Sequence, residues 1–122
     1  MTKAAAIQEF WASFGLTAYE ENAVPVGAAY PYITYELVTD AYGGETSMSG
    51  SLWYHGSSWV EANAKAEEIN KSIGYAGKVL QSDTGYIWIR CGVPFAQSMG
   101  DPDDDLIRRK LLNITAAFYT HD

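Results

Sequence analysis

The stretch Ser47–Gly74, SMSGSLWYHGSSWVEANAKAEEINKSIG, joins an alternating segment to the clearest helix of the chain, and the fold is read outward from it. Apolar side chains at Trp59, Ala62, Ala66, Ile69 and Ile73 recur at 3-4-3-4 spacing, which lays one stripe along a helix and turns Glu61, Lys65, Glu68 and Ser72 to water. Ser58 followed by Glu61 has the spacing of a capping box, and Gly74 supplies a C-terminal stop. Glu61 with Lys65 and Glu67 with Lys71 are spaced for i,i+4 ion pairs. Just before the helix, Met48, Gly50, Leu52 and Tyr54 alternate with Ser47, Ser49, Ser51 and Trp53, the period of a half-buried strand. A sheet beneath the helical stripe, with Trp59 as the anchor, is the simplest fold that follows.

The remaining segments extend this unit. Lys3–Phe14 places Ile7, Phe10, Trp11 and Phe14 on one helical face, with Gly15 as the stop. Leu16–Pro31 carries Pro25, Gly27 and Pro31 and reads as an extended connection with room for a short edge strand. Tyr32–Val38 is a strand with Ile33, Tyr35 and Leu37 on one face, and it forms a hairpin with Thr46–Tyr54. The tip of that hairpin, Asp40–Glu45, holds two glycines and reads as exposed and adaptable. Lys78–Gln81 and Tyr86–Cys91 form a second hairpin around the turn Ser82–Gly85. Gly92–Asp104 has no period and reads as a long loop, a class that tends to carry function. Leu106–Thr120 closes the chain as a long strand with Leu112, Ile114, Ala116 and Phe118 on one face, although its first half is also compatible with a helix. The expectation is one α+β domain over residues 1–122, with two helices on a mainly antiparallel sheet of four to five strands in the order α-β-β-α-β-β-β.

Composition narrows the function. The chain has no apolar run near the ~20 residues of a membrane span, so no membrane partner is expected. Its N-terminal segment, interrupted by Glu9, reads as a helix and not as a signal peptide. The single Cys91 leaves no internal disulfide framework and fits a reducing compartment. A net charge of −7 opposes gripping of nucleic acid, while leaving open a passage through which DNA slides. Nine tyrosines, four tryptophans and four phenylalanines are many for a chain this small, and some are expected to face a partner.

Reactive constellations are sparse. Asp101, Asp103 and Asp105 match the first three ligands of a calcium loop, but Leu106 stands where that loop needs glycine and Leu112 where it needs a bidentate glutamate. His55 lies beside Ser57 and Ser58 without a nucleophile elbow, which leaves a small hydrolase or ligand-binding domain as a remote alternative. His55, His121 and Cys91 are too dispersed for zinc. Cys91 ends an apolar strand, and Arg90 points to the other face. GGETSMSG lacks a Walker lysine. No catalytic residue, metal site or cofactor is assigned.

The segments AYPYITYELV, SGSLWYHGSSWVEANAKAEEI and DDDLIRRKLLNITAAFYT, in this order and spacing from about Phe14 to Tyr119, resemble the tail-terminator (tail-completion, or minor tail) proteins of long-tailed bacteriophages and prophages. The resemblance implies a non-enzymatic virion protein, assembled in the bacterial cytoplasm. It would form a hexameric ring at the head-proximal end of the tail tube, end tube polymerisation and meet the head–tail connector. Its partners would be further copies of itself, the major tail tube protein and the connector, with DNA passing an acidic lumen without specific binding. Another neck, head-completion or connector-associated protein is the close alternative. On this reading the candidate interface residues are Tyr42, Gly43, Gly44 and Glu45 at the hairpin tip, and Phe95, Met99, Asp101, Asp103, Asp104 and Asp105 in the long loop.

Overall fold

A computed structural model describes all residues, Met1–Asp122. The element order is α1 (Lys3–Ala12), β1 (Thr17–Glu20), β2 (Tyr32–Tyr35), β3 (Glu45–His55), α2 (Val60–Ile73), β4 (Lys78–Ser82), β5 (Gly85–Met99) and β6 (Ile107–Thr120). The six strands form one mixed sheet in the order β1-β2-β3-β6-β5-β4. The expected four to five strands and the order α-β-β-α-β-β-β are therefore corrected to six strands in the order α-β-β-β-α-β-β-β, mostly strand and curled into a half-barrel. One local feature explains the added strand. Residues Thr17–Glu20 are the short edge strand for which the connection left room, and their parallel pairing with β2 makes the sheet mixed. The central strands are also longer than their apolar cores suggest.

The curl follows from the first helix. α1 packs against β1 and β2 at one edge of the sheet and against β4 at the other, so the sheet wraps around it. Ile7, Phe10, Trp11 and Phe14 are all buried, as the stripe requires, and Thr2 caps the helix by accepting the Ala5 N–H at 3.1 Å. Gly50, in the middle of β3, leaves the space that the Trp11 ring occupies: a Cβ there would lie 2.6 Å from Trp11 Cη2. α2 packs on β3, β5 and β6 through Ala62, Ala66, Ile69 and Ile73. Both helices thus share the concave face, where Met48, Leu52, Ile87, Ile89, Leu112, Ile114, Ala116 and Phe118 complete one core.

The details of α2 differ from expectation at its start. The helix begins at Val60, Trp59 occupies the cap position without a side-chain cap bond, and Ser58 Oγ accepts only the Val60 N–H, at 3.1 Å. The capping box does not form. Trp59 is half-buried, with the Arg108 guanidinium 5.6 Å and the Lys110 ammonium 5.9 Å from its ring, so it is a lid over two cations and not the central anchor. Lys65 pairs with Glu68 at 3.2 Å and also donates to the Phe14 carbonyl, in place of the expected Glu61 pairing. Gly74 ends the helix with φ +77°, as expected of a glycine stop.

The largest local correction concerns Gly92–Asp104. β5 continues to Met99, so the expected long loop is mostly strand, with a bulge between Cys91 and Ala96. The Asn113 side-chain amide donates to the Pro94 carbonyl at 3.0 Å and holds the bulge against β6. Proline and glycine, which argued for a loop, are the residues a bulge tolerates. β6 is strand from Ile107 onward, and no part of it is helical.

Candidate functional site

The residues singled out for contact, apart from Phe95 and Met99, fall into two groups at opposite ends of β3 and β6. Register places Glu45 opposite Ala117 and His55 opposite Ile107, so the two ends are separated by the length of β3, roughly 33 Å for ten residue steps of ~3.3 Å.

At the first end, Tyr42, Gly43, Gly44 and Glu45 do gather, but not as a free tip. The Gly43 N–H donates to the Phe118 carbonyl at 2.7 Å and the Phe118 N–H donates to the Gly44 carbonyl at 2.8 Å, which extends the β3–β6 ladder through the glycines. The expected adaptable tip is therefore pinned, and Gly43 takes φ +81° to make the turn. Tyr42 stays 68% exposed and packs edge-to-face on Tyr119 at 6.1 Å, which in turn stacks on Tyr86 at 5.1 Å. Glu45 forms an ion pair with Arg90, whose guanidinium lies 4.3 Å from the Trp88 ring.

At the second end the acidic turn is short and internally bonded. Asp101 Oδ1 accepts the N–H groups of Asp103 at 2.8 Å and Asp104 at 3.2 Å. Asp104 Oδ1 accepts the Leu106 N–H at 2.9 Å, and its Oδ2 meets His55 Nε2 at 2.9 Å. The Leu106 N–H, followed by the His55 ring, holds the Asp104 carboxyl below the usual carboxylate range. Asp103 and Asp105 are exposed, and the Asp105 carbonyl accepts from Arg108. Phe95 and Met99 do not join this cluster. Phe95 sits in the bulge, packed on the core, and Met99 ends β5 opposite Arg109.

Between the two ends runs the convex face of the sheet, which carries neither helix. Here strand alternation brings together an aromatic array that residue-by-residue reading did not assemble. The rings of Tyr32 and Trp53 stack at 6.1 Å, Tyr19 and Tyr30 lie 5.9 and 5.4 Å from Tyr32, and Tyr30 lies 5.3 Å from His55. The Arg109 guanidinium covers Trp53 at 4.8 Å while its Nε donates to Ser51 Oγ at 3.0 Å. The signal was available: Trp53 alternates with serines, so it belongs to the face away from the core.

Chemically, the His55–Asp104 contact is the one paired acid–base set at this end. Its serine neighbours do not complete a nucleophilic site, since Ser58 Oγ accepts the Val60 N–H at 3.1 Å and His55 Nε2 is engaged by Asp104 and by neither serine. Cys91 donates to Asn70 Oδ1 at 3.2 Å, and burial pushes its thiol pKa up, the opposite of what a nucleophile needs. No helix is long and apolar enough to cross a membrane. No protein-family model matches the chain, and no curated protein matches it significantly.

Proposed function

We propose that this chain is a structural subunit of a phage tail that closes the tail tube as a ring, stops its growth and offers a surface to the head–tail connector. One observation carries the reading beyond the sequence resemblance: two separate sets of exposed groups occupy opposite ends of the same rigid strand pair. A subunit that links two coaxial partners needs such an arrangement, because each partner must be met without disturbing the other. The continuous β3–β6 ladder keeps the two ends at a constant distance. The aromatic content of the convex face suits an interface, since Tyr and Trp bury large area with few torsions to freeze. On this reading the Asp101–Asp105 turn and the pinned Tyr42–Glu45 corner meet different partners, and the surplus of carboxylates repels DNA passing the lumen.

Binding of the purified chain to isolated tail tubes, compared with binding to tail-less heads, tests the proposal and separates it from a head-completion role. Preferential tube binding is expected; binding to heads alone favours the other neck protein. A second reading attaches to the His55–Asp104 pair, which is the geometry that orients a histidine base. It predicts a hydrolytic activity that His55→Ala abolishes, and an activity unchanged by that substitution removes it.

A further inference from the structure

The two sides of α1 carry complementary features that a single copy cannot bring together. On the β1 side, the connection to β2 contains Ala23-Val24-Pro25-Val26-Gly27-Ala28-Ala29, a run without any charged or hydrogen-bonding side chain. Its centre is a tight turn, in which the Ala28 N–H donates to the Pro25 carbonyl at 3.2 Å and Gly27 takes φ +79°. Only glycine adopts that conformation readily at the third position of such a turn. Val26 is thereby set at the apex with its side chain fully exposed. A branched apolar residue fixed on a rigid turn and flanked by small residues is a preformed knob, and its exposure is unfavourable until something covers it.

On the β4 side lies a groove of about 490 Å³ between α1 and the sheet edge. Ala6, Phe10 and Leu80 supply apolar walls, while Val79 on the rim is half exposed. β4 has a neighbouring strand on one side only, so the rim also offers unpaired main-chain groups. Charge is complementary as well. Glu20 and Glu21, just before the knob, have no ion-pair partner, and Lys78 at the groove forms no ion pair. Lys78 instead donates to Ser72 Oγ at 3.3 Å and lies 5.9 Å from the Phe14 ring. Glu9 and Asp83 are the acidic groups on the same groove, Asp83 already paired with the N-terminal ammonium of Met1, and they select the seating that puts Glu20 and Glu21 at the Lys78 end.

We infer that the Val26 turn of one copy seats in the α1–β4 groove of the next. The knob and the groove are different patches of one chain, so the contact is head-to-tail, and successive contacts close into a ring or continue as a filament according to the rotation between copies. The contact stands on the geometry; its closure into a ring rests on the function proposed above.

Cross-linking tests it. Two single-cysteine chains, Val26→Cys and Ser13→Cys, are prepared in a Cys91→Ser background, mixed at high concentration and oxidised. Both new positions are exposed, so folding is preserved and is checked by thermal melting. The mixed Val26–Ser13 disulfide should exceed the twofold excess over either homodimer that random pairing of equal amounts gives. Lys78→Glu should reduce its yield severalfold, and adding Glu20→Lys and Glu21→Lys to the partner chain should restore it. A mixed disulfide no more than twice as abundant as either homodimer, or a yield indifferent to these charges, overturns the contact. If wild-type chains nevertheless form rings on tail tubes, the contact alone has failed; a chain carrying both Val26→Cys and Ser13→Cys that cross-links into open filaments on its own, with no ring on tubes, keeps the contact and removes the ring.

Discussion

The fit of Trp11 against Gly50 is the contact through which the sheet closes over α1, and Gly50→Ala tests it. The added Cβ would stand 2.6, 2.8 and 3.0 Å from three atoms of the outer indole ring. The ring has no easy escape, since Trp11 is fully buried, edge-to-face with Phe10 at 4.9 Å and stacked on Tyr35 at 6.2 Å. Overpacking of a close-packed interior costs about 1–3 kcal/mol. Replacing a strand glycine recovers roughly 0.5–1 kcal/mol of backbone entropy. Those two rules bound the net loss at about 0–2.5 kcal/mol, and because the ring cannot move aside the upper part, about 1–2 kcal/mol, is expected, which for a domain of this size lowers Tm by roughly 3–8 °C. Urea denaturation of wild type, Gly50→Ala, Trp11→Phe and the double variant measures it. Phenylalanine lacks the outer ring, so the double variant should be more stable than additivity predicts by about 1 kcal/mol. A Gly50→Ala protein as stable as wild type, or an additive cycle, refutes the packing argument.

Three further outcomes follow from particular contacts. Trp59→Ala should cost about 1–2 kcal/mol in urea denaturation, less than a fully buried aromatic, because Trp59 is half-buried at the start of α2; a loss above ~4 kcal/mol would restore it as a core anchor. Asp104 has a carboxyl pKa below its unfolded value, so its stabilising contribution is present above the ordinary carboxylate range and is lost as pH falls through the lowered folded value. NMR titration of His55→Ala should show the Asp104 pKa moving up but remaining below normal, since the Leu106 N–H is the larger cause; no movement contradicts the pairing. The Cys91 thiol, raised by burial and bonded to Asn70, should react with a disulfide reagent at neutral pH far more slowly in the folded than in the urea-unfolded protein, and equal rates would contradict its burial.

Much of the core was legible because period and burial coincide. The stripe on α1, the four buried positions of α2 and the alternating residues of β6 all lie where spacing puts them. What was missed has a physical cause in each case. β1 is the short edge strand for which the Leu16–Pro31 connection left room, but at four residues no local pattern fixes its bounds or its parallel pairing. The Ser58–Glu61 spacing is that of a capping box, but the chain enters the helix one residue later and the box cannot close. Pro94 and Gly92 suggested a loop, whereas the Asn113 side chain, contributed by another strand, secures them as a bulge. The same non-locality hid the candidate site. His55 and Asp104 are separated by 49 positions and meet only because β3 and the β5–β6 turn end at one level. Gly43 and Gly44 look mobile until Phe118, at the far end of the chain, pairs with both.

The proposed role is that this chain ends the tail tube and prepares it for the head. Electron microscopy of particles produced without the protein measures that directly. Tails of uncontrolled length, or finished heads with no tails attached, are the predicted result, with restoration when the purified chain is supplied. Normal virions with tails of uniform length in its absence would contradict the account.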